Sequence, residues 1–70
     1  MKVSEIRDLS DSELYTRLND AREELMNLRF QQATGELTDH TRLRYTRRTI
    51  ARLLTILTER VKAARMEGEG

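Results

Sequence analysis

NLRFQQATGEL, residues 27–37, holds the point on which the fold turns. The segment reads as helix until Thr34 and Gly35, where a helix can stop. Pro is absent from the 70 residues, and the other two Gly lie in the last three positions, so nothing interrupts a long helix on either side of Gly35. Gly35 can take the left-handed conformation that ends such a helix. Two long helices joined by so short a link must run antiparallel. The same stretch contains the only Phe of the chain, Phe30, next to Arg29, and both lie off the apolar stripe that should form the core.

Working outward from the hinge, LSDSEL at residues 9–14 marks where the first helix begins. Ser10 is the N-cap, Glu13 completes a capping box three residues on, and Leu9 and Leu14 are spaced as a hydrophobic staple. From there Leu14, Leu18, Ala21, Leu25 and Leu28 recur every three or four residues on one face. Beyond the hinge Thr38 or Asp39 can cap a second helix. Its stripe comprises Leu43, Ile50, Leu53, Leu54, Leu57, Val61 and Ala64, with Thr46 closing a gap. Val3, Ile6 and Leu9 repeat every three residues, which predicts one helical turn folded against the open end of the hairpin. The chain is therefore expected to be all-α: a single domain with a turn at about 3–8, helices at about 10–34 and 40–65, a hinge at 35–39 and a frayed tail at 66–70. So thin a core should give marginal stability in isolation and favour a larger partner.

The formal net charge of +1 conceals a segregation along the chain. Residues 1–39 carry five bases against nine acids, whereas residues 40–65 carry eight bases against Glu59 alone. Eleven of the thirteen bases are Arg, the side chain whose planar fork grips phosphate oxygens in pairs. The second helix is thus a basic rod suited to nucleic acid.

Helical projection separates the remaining residues by face. With Ala21 at zero, Tyr15 and Ala33 fall at about 120°, Met26 at about 140° and Phe30 at about 180°, with Arg29 bordering them at about 80°. These residues do not face the second helix. Tyr15 belongs either to an exposed docking face or beneath the N-terminal turn. On the second helix Arg44, Arg48, Arg52 and Lys62 lie opposite the stripe, Arg47 and Arg65 flank it, and Tyr45, Thr49 and Ile56 form a further strip outside it. A solvated helix face normally mixes charge signs for i to i+4 pairing, and this one has almost no acids of its own. Acids of the first helix such as Asp20, Glu23 and Glu24 can neutralise flanking Arg, but they cannot reach Arg48 or Arg52.

Several function classes are excluded. With no Cys there is no disulfide framework and no thiolate metal site, and a single His with scattered carboxylates offers no other. His40 has no nucleophile or orienting partner, so no catalytic constellation exists; it reads as a hinge residue within reach of phosphate. No cofactor, metal or small-molecule substrate is expected. No apolar run exceeds two residues, which predicts neither a signal-peptide core nor a spanning helix, and hence a cytoplasmic protein without a membrane partner.

Three segments carry a resemblance. MKVSEIRDLSDSEL at residues 1–14, LMNLRFQQATGEL at 25–37 and RLRYTRRTIARLLTILTER at 42–60 make the chain similar to the bacterial large-subunit ribosomal protein twenty-nine family, in the right order and at the right length. The hinge segment is the most specific, followed by Arg47, Arg48, Ile50, Ala51 and Arg52. The terminal GEG lies outside the family pattern. The resemblance implies a non-enzymatic constituent of the large ribosomal subunit, lying on large-subunit ribosomal RNA near the exit of the nascent-peptide tunnel, beside ribosomal protein twenty-three.

On that reading Arg42, Arg44, Arg47, Arg48 and Arg52 neutralise phosphates, with His40 near them. Arg29, Phe30 and the Gly35 hinge fit a local RNA shape, Phe30 filling an apolar gap beside ribose in preference to stacking on a splayed base. The competing expectation is a coiled-coil interaction module, a homodimer burying both stripes in a four-helix bundle. Outward Arg residues would crowd such a pair.

Overall fold

The computed structural model describes residues 2–69, with side chains through residue 66. Among these residues the chain is helical without strands: α1 Val3–Arg7, α2 Asp11–Ala33 and α3 His40–Glu69. The two long helices pack antiparallel as a hairpin measuring 53 × 20 × 16 Å.

Each boundary has a local chemical cause. The Glu13 N–H donates to Ser10 Oγ at 3.2 Å and the Ser10 N–H to Glu13 Oε2 at 3.4 Å, so the capping box satisfies two amides that α2 would otherwise leave unpaired. At the other end Gly35 has φ of 81°. Its N–H donates to the Gln32 carbonyl at 3.2 Å, and the Glu36 N–H to the Gln31 carbonyl at 2.8 Å. This pair of bonds is a Schellman motif with glycine at the left-handed position. Asp39 then starts α3 by accepting the Thr41 N–H at 2.9 Å. The sequence reading ends α3 near residue 65 with a frayed tail, whereas the helix runs on to Glu69. Ala63, Ala64 and Met66 are strong helix formers and no proline stops them; residue 70 lies outside the described residues.

Leu14, Leu18 and Ala21 of α2 pack with Leu53 and Leu57 of α3 in one core, and Leu28 and Leu43, nearer the hinge, are buried as well. Thr46 is buried among them, its hydroxyl donating to the Arg42 carbonyl at 2.9 Å, so its one donor is satisfied within its own helix.

The stripe on α3 departs from the sequence reading. Leu54 and Val61 are 39% and 51% exposed, and Ala64 is exposed, whereas Ile56, placed outside the stripe, is 3% exposed. The reason is the position of α1. It packs on α3, where Ile6 joins Leu53, Ile56 and Leu57 in the core with Leu9 alongside, and Val3 and Arg7 border Ile56 from outside. The core thus rotates toward α1 and leaves the opposite flank uncovered. Tyr15, half exposed on that flank, is not beneath the N-terminal turn.

Candidate nucleic-acid interface

A spacing of four residues returns a side chain to nearly the same helical face, about 6 Å further along the axis. Arg44, Arg48 and Arg52 have that spacing on α3, and all three are exposed. With Thr41, Tyr45 and Thr49 they line one shallow groove on the outer side of α3. Three guanidinium forks in register can each grip phosphate oxygens, while the half-exposed Tyr45 ring offers a flat apolar surface among them. The hydroxyls of Thr41 and Thr49 are spent locally, that of Thr49 on the Tyr45 carbonyl at 3.0 Å and that of Thr41 on the Asp39 carboxylate, so the guanidinium groups are the donors this face offers. Glu59, the one acid of residues 40–65, is 3.4 Å from Arg7 on α1. Asp39 is occupied as a cap. Its carboxyl is held below the ordinary aspartate range chiefly by the Thr41 backbone N–H, next by the Thr41 side chain, with smaller help from His40 and Arg44.

The predicted residues divide into four sets. Arg44, Arg48 and Arg52 come together in the groove. Arg42 does not line the groove: its Nε donates to Glu24 Oε1 across the hairpin, and its guanidinium lies 5.9 Å from the centre of the Tyr45 ring. Arg42 is therefore committed partly to holding α3 on α2. Arg47 is exposed between these directions. At the far end of the hairpin, Arg29, Phe30, Gly35 and His40 cluster in sequence about the hinge. Phe30 is 68% exposed and Met26, one turn earlier, 69%. They form an apolar tip that neither helix covers.

Tyr45 was outside the predicted set although it lines the groove; its position next to Arg44, an aromatic within a basic run, is the signal that could have placed it there. Among the described residues no group of His, Cys, Asp and Glu could hold a metal ion, and no helix is long and apolar enough to cross a membrane.

Residues 4–60 match the family model described as Ribosomal L29 protein. The large ribosomal subunit protein uL29 of Corynebacterium glutamicum (strain R) is 59% identical over 56 residues, covering 80% of this chain and 74% of the relative. The protein of the same name from Streptomyces griseus subsp. griseus is 54% identical over 59 residues, 84% of this chain and 80% of the relative. That of Saccharopolyspora erythraea is 49% identical over 68 residues, 97% of this chain and 85% of the relative.

Proposed function

Because the chain belongs to the ribosomal L29 protein family, structural constituents of the large subunit of the cytoplasmic ribosome and not enzymes, we propose that it binds large-subunit ribosomal RNA through the outer face of α3. The observation that carries this is the groove of Arg44, Arg48 and Arg52 with Tyr45 among them. Phosphate neutralisation fixes orientation there, and shape rather than base sequence supplies selectivity. Phe30, Met26 and Arg29 at the hinge fit a second local surface of the same RNA. The location is near the exit of the nascent-peptide tunnel with ribosomal protein twenty-three as a neighbour, in keeping with the resemblance of the hinge and α3 segments.

The test is Arg48→Glu combined with Arg52→Glu. Two phosphate contacts become repulsions, so RNA association weakens and is released at lower salt while far-UV circular dichroism stays unchanged. RNA binding that survives the double reversal with its salt dependence intact contradicts the assignment of this face.

A further inference from the structure

On the flank left open by the rotation of the core, α2 and α3 enclose a second groove. Its floor is Leu18 and Leu57, both buried, and its walls are Tyr15, Leu54 and Val61, all substantially exposed. Arg22, Lys62 and Arg65 stand along its rim, and none of the residues lining it is acidic. No ion pair among the described residues engages these three cations. Asp11, beyond the Tyr15 end, is held by Arg60. From Leu54 to Arg65 the groove follows three turns of α3, about 16 Å.

We infer that this groove docks an amphipathic helix of a neighbouring protein, whose apolar stripe lies against Leu54 and Val61 and whose flanking carboxylates meet Arg22, Lys62 and Arg65. The inference rests on the ribosomal assignment, since the neighbours available are those of the assembled subunit. Two antiparallel helices present a trough into which the ridge of a third packs, completing a three-helix layer that the hairpin alone lacks. The charges select among occupants. A second copy of the chain would set cation against cation in a self-complementary contact. An RNA strand would neutralise the rim only by pressing its charged phosphates onto the apolar Leu54 and Val61 between the cations, at a desolvation cost. A helix with an apolar stripe and acidic flanks satisfies both features.

The test places p-benzoyl-phenylalanine at Val61, and separately at Arg48, in the full chain assembled into large subunits in cells. Subunits are purified on a gradient, irradiated, and the adducts treated with ribonuclease before mass spectrometry. The Val61 probe is expected to give a ribonuclease-resistant adduct to a helical protein segment carrying an apolar stripe and flanking acids. Arg22→Glu with Lys62→Glu should then reduce that adduct at least tenfold while the chain stays in the subunit. An adduct to RNA, an adduct to a second copy, no adduct from Val61, or an unchanged yield after the double reversal overturns the inference, even where the Arg48 probe reaches RNA. Absence of the chain from the subunits overturns the ribosomal assignment itself, and this inference with it.

Discussion

Arg60 of α3 lies 2.8 Å from the carboxylate of Asp11 in the first turn of α2, and the same guanidinium donates to the main-chain carbonyls of Leu9 at 2.8 Å and Arg7 at 3.1 Å. One side chain therefore ties α3 to α2 and to the chain leaving α1. The partners contribute unequally. The Asp11 side chain is 75% exposed, so solvent screens the ion pair and its share is small. The bond to the Arg7 carbonyl is exposed and open to replacement by water, but that to Leu9 is partly buried, so its loss leaves an acceptor poorly satisfied at the base of α1.

Arg60→Ala is accordingly expected to lower stability by about 2 kcal/mol, and Asp11→Ala by less than about 1 kcal/mol. Urea denaturation of the two variants measures the difference, and amide exchange at Ile6 should accelerate only in the Arg60 variant. Equal losses in both would show that the ion pair, not the carbonyl bonds, closes the hairpin.

Ile56 and Leu54 exchange the roles that simple periodicity assigns them. Truncating a buried Ile leaves a cavity, so Ile56→Ala should cost about 3 kcal/mol. Leu54→Ala, at a position already 39% exposed, should cost about 1 kcal/mol. Thermal melts at equal concentration give the ranking directly; a larger loss at Leu54 would mean that its flank is covered in the free protein.

What could be read from the sequence and what could not divides by the range of the interactions. The Ser10–Glu13 box and the Gly35 stop act within a few residues of themselves, and both occupy their expected places. The burial of Ile56 depends on where α1 lands, a contact between segments some fifty residues apart that periodicity does not encode. The same separation hid Arg60, which reads in the sequence as one more base of a basic rod. In the candidate interface the i, i+4 ladder of Arg44, Arg48 and Arg52 was legible because it is a property of one helix. That Glu24 takes Arg42 in particular was not, because the choice among Arg residues depends on the register between two helices.

Gly35 carries a conformational requirement without a packing one. At φ of 81° an added Cβ would meet nothing within 4 Å, so Gly35→Ala should cost only the left-handed backbone penalty, about 1 kcal/mol. Asn at this position should recover part of that loss. A cost of several kcal/mol by chemical denaturation would reveal a steric constraint that the free chain does not show.

The Asp39 cap predicts a pH response with a definite sign. Because its pKa is lowered in the folded chain, the unfolded chain binds the proton more readily. The cap's contribution is therefore complete above the unfolded value and is lost as pH falls through the lowered folded value. The Thr41 amide resonance should follow this transition below the ordinary aspartate range, and Asp39→Asn should abolish it. A midpoint at the ordinary aspartate value would mean that the Thr41 bond does not persist in solution.

Binding of ribosomal RNA by the basic outer face of α3 is read most plainly by sedimentation of the tagged full chain through sucrose gradients across a series of salt concentrations. The chain is expected to co-migrate with the large subunit and to be released as salt rises. The Arg48→Glu, Arg52→Glu variant should be released at lower salt, with the slope of log affinity against log salt smaller by about 2. A chain that remains at the top of the gradient as a small oligomer, at every salt concentration, would contradict RNA binding by this face.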